Sequence, residues 1–111
     1  MARAAAVPLV LAGLTAGLVV GCGTGVNGQE RLASRGRQLF MDHGCHGCHT
    51  VGAMGSPIGP DLSRIGARRD AAYLDKWLRD PAQQKPTAHM PKIAMSEQDV
   101  RALASYLASL R

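Results

Sequence analysis

The stretch Asp42-His43-Gly44-Cys45-His46-Gly47-Cys48-His49-Thr50 decides how the rest of the chain is read. Within it Cys45, Cys48 and His49 form a C-x-x-C-H run, the pattern of covalent c-type haem attachment. Two thiols at this spacing can add to the two vinyl groups of one haem, while the adjacent imidazole is carried under the porphyrin to bind iron. Zinc ribbons and dithiol redox pairs also use C-x-x-C. Zinc usually takes four protein ligands, and outside the stretch Asp42 to Thr50 the chain offers only Cys22 and His89 as further cysteine or imidazole donors. A dithiol motif sits between a strand and a helix, and no strand alternation surrounds this run. Haem is the reading carried forward, with His49 as the proximal ligand.

Outward from the motif, the 111 residues allow one small domain. A core of that size is marginal in water, and a buried porphyrin would add apolar surface for short helices to pack on. One Trp, two Tyr and one Phe suit a domain whose main aromatic body is its cofactor. The formal charge is +5, or +4 once Arg3 is set aside with a leader (12 basic against 8 acidic side chains). That excess reads either as a solvated surface or as a positive rim for an acidic redox partner. No basic run is interleaved with aromatics, so nucleic-acid binding is disfavoured.

Toward the N-terminus, Ala4 to Val20 is an uncharged apolar run, short for a spanning helix and interrupted by Gly13 and Gly17. Residues 1–21 read as a secretory signal, with an uncleaved anchor helix as the competing reading. Val19-Val20-Gly21-Cys22 resembles a lipobox, so Cys22 is expected to be lipidated. An acyl anchor contributes about 0.8 kcal/mol per buried methylene. Residues 22–29 then form the lipidated cysteine and a flexible linker, followed by the domain proper over 30–111. Within that linker, the six residues from Gly23 to Gly28 reach about 14 Å, which keeps the domain close to a membrane surface.

Leu32, Gly36, Leu39 and Phe40 share one helical face, predicting a helix over Gln29 to Met41. Gly36 costs about 1 kcal/mol of propensity relative to alanine, so its place on the apolar face predicts a close approach to another element. Thr50 to Gly66 reads as an irregular Gly/Pro-rich loop. Asp70 caps a second helix carrying the pairs Tyr73/Trp77 and Leu74/Leu78, which Pro81 stops. A polar loop over Ala82 to Ala94 carries Met90-Pro91. Ser96 then caps the strongest helix, with Val100, Leu103, Leu107 and Leu110 as its stripe.

For the sixth iron position the chain offers Met41, Met54, Met90, Met95, His43 and His89. Met41, His43 and Met54 lie too near the attachment run to reach the other face of a haem. Met90 and Met95 have the longer return, and the proline after Met90 favours an extended backbone. Met95 abuts the Ser96 cap, where an apolar residue staples a helix start. Met90 is the expected ligand, and His89 an exposed loop histidine.

Gly36 with Phe40, the C-x-x-C-H run, Gly59-Pro60-Asp61-Leu62, Trp77, Lys85-Pro86 to Met90-Pro91, and Tyr106-Leu107 together resemble a small class I c-type cytochrome. The run Trp77-Leu78-Arg79-Asp80-Pro81 is most similar to the haem c domain of bacterial cytochrome oxidase subunit II. This resemblance implies an all-α cytochrome c fold, three to four helices around one haem c covalently attached through Cys45 and Cys48, with the first and last helices crossing. It places the Pro60 carbonyl against the ring N–H of His49 and makes Met90-Pro91 the distal-ligand motif. Trp77 is either core or a hydrogen-bond donor to a haem propionate, and Arg68 or Arg69 either faces water, as surface arginines usually do, or pairs with a propionate.

Together these features predict an exported, lipid-anchored electron carrier rather than an enzyme, on the periplasmic or outer face of the cytoplasmic membrane. Its expected redox partners are a terminal oxidase or reductase and a quinol-oxidising complex or dehydrogenase. A fixed haem subunit of a larger oxidoreductase is the nearest alternative; an open-site peroxidase or sensor is the more distant one.

Overall fold

A computed structural model describes residues 5–13, 17 and 27–111. Its element order is α1 (Gly28–Asp42), a 3-10 turn at Cys45–Gly47, β1 (Thr50–Val51), β2 (Met54–Gly55), a 3-10 turn at Ile65–Ala67, α2 (Ala71–Arg79), α3 (Pro81–Gln84) and α4 (Glu97–Ser109). It is the predominantly helical fold expected of a small cytochrome c.

Each of these four α-helices opens on a short polar side chain, because the first turn leaves backbone N–H groups without helical acceptors. The side chains of Asn27 and Asp70 accept from the N–H groups of Glu30 and Tyr73, both at 2.8 Å. Asp80 accepts from Gln83 at 3.2 Å, and Ser96 from Asp99 at 3.1 Å.

The first and last helices hold each other. Gly36 is buried on α1, and a Cβ there would run into the Ala102 carbonyl and lie 2.6 Å from Tyr106 Cβ. Phe40 meets the Tyr106 ring edge-on at 5.8 Å between centroids. Leu74 and Leu78 of α2 join Val100, Leu103 and Leu107 of α4 in one apolar cluster. Full burial of such a side chain contributes about 1.5–3 kcal/mol. Buried Ser105 is satisfied by the Gln29 side-chain amide at 2.6 Å.

Three local features differ from the sequence expectation. Thr50 to Gly66 contains a small antiparallel ladder pairing Thr50 with Gly55 and Val51 with Met54. Strands of two residues are too short to show alternation. Its turn needs a positive φ at Gly52 (+59°), which glycine adopts without steric cost. Pro81 does not only end α2: from the first position of α3, where its missing N–H is no loss, it starts another turn of helix within the expected loop. Finally, α1 starts one residue earlier than expected, at Gly28 of the linker, with Asn27 as its cap.

Residues 5–13 form no helix or strand, and Val7, Leu9, Val10 and Leu11 are exposed. No helix among the described residues is long and apolar enough to cross a membrane. The lipobox residues Val19 to Cys22 lie outside the described residues.

Candidate haem-binding site

At the end of α1 the chain reverses through Gly44, whose φ of +68° is left-handed and suits a residue without Cβ. The following turn is closed by the Cys45 carbonyl, which accepts from Cys48 N–H at 3.2 Å and His49 N–H at 3.0 Å. One tight coil therefore carries both thiols and the imidazole. The β1–β2 hairpin braces it: the Ser56 N–H donates to the His46 carbonyl at 3.0 Å, and a Cβ on Gly55 would strike the His49 carbonyl.

The coil opens onto a cavity of about 520 Å³. Cys45, Cys48, His49, Pro60, Trp77 and Met90 all line it, with Phe40, Leu74, Leu78, Leu103 and Leu107 from the helical core. The six residues singled out from sequence thus converge on one hollow. Of the six side chains available for the sixth position, only Met90 and His89 are among its lining residues. Met54 and Met95 pack against the apolar cluster, and Met41 and His43 are exposed.

The imidazole is held in one orientation. His49 Nδ1–H donates to the Pro60 carbonyl at 2.7 Å, leaving Nε2 with its lone pair. Gly59 lies against the same ring, for a Cβ there would stand 2.8 Å from His49 Cε1. Next in sequence, the Asp61 carboxylate accepts from Thr50 Oγ1 and Ser63 N–H, both at 3.0 Å, and from Ser63 Oγ at 2.6 Å. These hydrogen bonds, led by the Ser63 hydroxyl, hold its pKa below the usual carboxylate value. Burial pushes the Cys45 thiol up, favouring the neutral S–H form.

Trp77 is half-buried and lines the cavity. Its Nε1–H donates to Met90 Sδ at 3.4 Å. Arg69 lines the cavity with its guanidinium 4.3 Å from the Tyr73 ring centroid; Arg68 stands instead beside a separate hollow with Pro60, Asp61 and Arg64. Sequence reasoning missed the Gly59–imidazole contact, the Asp61 network and the Trp77–Met90 contact. Gly59-Pro60-Asp61 carried a signal for the first two. Nothing in the spacing of Trp77 and Met90 marks the third.

The donor set fits a covalently held porphyrin. An apolar hollow within the usual cofactor range of about 300–1,000 Å³ is joined by two thiols, an oriented imidazole and a thioether. Among the described residues no group of three or more His, Cys, Asp or Glu side chains is placed to hold a metal ion directly. The fold and site are those of a covalent haem protein.

Residues 33–111 match the Cytochrome c family model, and the chain belongs to that family. It is 42% identical over 91 residues to Cytochrome c oxidase subunit 2 of Alkalihalophilus pseudofirmus, covering 74% of this chain and 27% of that protein. It is 28% identical over 79 residues to a nitric oxide reductase subunit of Stutzerimonas stutzeri, covering 66% of this chain and 54% of that protein. The chain thus spans from about a quarter to about half the length of these curated relatives. It is an electron-transfer haem protein whose haem c is attached through Cys45 and Cys48.

Proposed function

We propose that the chain is a membrane-tethered, mono-haem cytochrome c that passes single electrons between respiratory partners. The observation that supports this most is the meeting of Cys45, Cys48, His49 and Met90 around one apolar hollow. When bound, the haem supplies an iron that changes by one unit of charge.

The protein's residues do the rest. Cys45 and Cys48 fix the cofactor covalently. His49 Nε2 would hold the haem iron, and the Pro60 carbonyl holds the ring's tautomer and tilt. Met90 Sδ would be the second protein ligand of the haem iron, and a thioether there would raise the reduction potential relative to histidine. An iron so held would have no open position for substrate, which suits a carrier rather than a catalyst. Leu74, Leu78, Leu103 and Leu107 line the hollow and exclude water.

Lipidation at Cys22 anchors the domain, exported to the periplasmic or outer face of the cytoplasmic membrane. A quinol-oxidising complex or dehydrogenase is the donor, and a terminal oxidase or reductase the acceptor. The second reading, a fixed haem subunit of a larger complex, is favoured by the two relatives, both named as subunits. Co-purification with a membrane complex after detergent extraction separates it from a free shuttle.

The test of the site is a visible spectrum of the oxidised and reduced protein. A c-type spectrum with the weak sulfur-to-iron charge-transfer band is expected. A c-type spectrum without that band would shift the sixth position to His89 or leave it open.

A further inference from the structure

Residues 48–50 lie beside residues 59–62, with the His49 ring held between them. Gly59 N–H donates to the Cys48 carbonyl, and Leu62 N–H to the Thr50 carbonyl at 2.9 Å. The peptide unit joining Pro60 to Asp61 falls between these two ties. Proline brings no N–H of its own, and among the described residues the Asp61 N–H has no acceptor. The one donor to the Pro60 carbonyl among them is His49 Nδ1–H, at 2.7 Å. Backbone bonding alone therefore does not fix the tilt of that peptide.

The Asp61 side chain supplies the missing hold. Three donors meet on its Oδ1: Thr50 Oγ1 and Ser63 N–H, each at 3.0 Å, and Ser63 Oγ at 2.6 Å. Thr50 directly follows His49, so the carboxylate is tied to the backbone that carries the imidazole. Ser63 Oγ also accepts from Gly52 N–H at 2.8 Å, which brings in the turn of the β1–β2 hairpin. Hydrogen bonds to an ionised acceptor are roughly twice as strong as those between neutral groups. Asp61 is solvent-exposed, so it carries its charge without the cost of burial.

We infer that Asp61 is a positioning residue for His49, acting through the Pro60 carbonyl to set the basicity of the imidazole. The inference rests on His49 as a ligand of the haem iron. A firmly placed carbonyl draws on the Nδ1 proton and leaves more electron density on Nε2. A more electron-rich ligand favours the iron state of higher charge, so the network lowers the reduction potential. The negative charge of Asp61 acts in the same direction by Coulomb attraction. The two contributions are separable, because Ser63 can be changed while the charge stays.

The experiment compares Ser63→Ala, which keeps the Asp61 charge and removes its shortest donor, with Asp61→Asn, both in the full haem-loaded protein. Redox titration gives the potential, and NMR gives the rate at which the His49 Nδ1 proton exchanges with solvent. In Ser63→Ala the reduced-to-oxidised ratio at a fixed potential rises about two- to fivefold, within the range open to one hydrogen bond. Exchange of the Nδ1 proton becomes faster, and haem stays attached. Asp61→Asn moves both quantities further in the same direction. A shift confined to Asp61→Asn would mean that the charge acts alone and overturns the positioning role, as would no shift in either variant. If Asp61→Asn does not fold, Ser63→Ala decides. Absence of iron-shifted His49 ring protons from the oxidised, unmodified protein instead removes His49 as ligand, and the inference with it.

Discussion

The ring of His49 is held between two consecutive backbone positions: Nδ1–H donates to the Pro60 carbonyl at 2.7 Å, and Gly59 leaves no room for a Cβ beside Cε1. A Gly59→Ala variant should therefore push the imidazole out of line while both thioether bonds persist. The expected result is a c-type spectrum with increased high-spin character and a shifted midpoint potential. An unchanged spectrum and potential would show that the loop yields without disturbing the ring.

Removing the proposed distal ligand should separate attachment from ligation. In Met90→Ala the haem stays covalently bound, the potential falls, and imidazole or carbon monoxide gains access. Denaturing gel electrophoresis with haem staining and redox titration check the two halves; an unmoved potential would exclude Met90.

Gly36 tests the helix crossing. A methyl group there meets the Ala102 backbone, which is not the end of a flexible side chain. Gly36→Ala gains helix propensity of about 1 kcal/mol but forces the helices apart, and overpacking of this kind costs about 1–3 kcal/mol. Net destabilisation in chemical denaturation is expected, whereas a gain would mean that α1 shifts freely over α4.

Asp61 makes a pH prediction with a definite sign. Its folded pKa lies below the unfolded value of about 3.9, so its stabilising contribution is complete above that value and is lost as pH falls through the folded pKa. Asp61→Asn should lower the melting temperature at neutral pH, and the difference from the unmodified protein should shrink below about pH 3.9. A pH-independent difference would point to packing instead.

Lipidation has a direct test in cell fractionation. Cys22→Ser should release the protein from the membrane fraction; retention would mean that the apolar N-terminal run anchors it without an acyl chain.

The legible parts of this fold share one property: their signals are local. The C-x-x-C-H run, the Asp70 and Ser96 caps and the α4 stripe can each be read within a few residues. Gly36 is legible as a close approach because a glycine on an apolar helical face sacrifices helix propensity, and only a crowding neighbour repays that loss. The β1–β2 hairpin escapes because two-residue strands have no period, and α3 because Pro81 both ends one helix and begins another. Of the site, Cys45, Cys48, His49, Pro60, Trp77 and Met90 each stand in a motif that the sequence displays, and all line the cavity. The Trp77–Met90 contact joins two segments across an irregular loop, and no spacing rule relates them.

The packing of α1 against α4 also sets an order of assembly. Leu103 and Leu107 reach the cavity from the last helix, while the attachment cysteines follow directly after the first. Contacts between segments so far apart in sequence form only after the chain between them has been closed into a loop. A growing chain exposes both thiols well before it possesses the wall that shelters what they hold. A fragment ending before Glu97 would keep every covalent attachment point and leave its cofactor facing water.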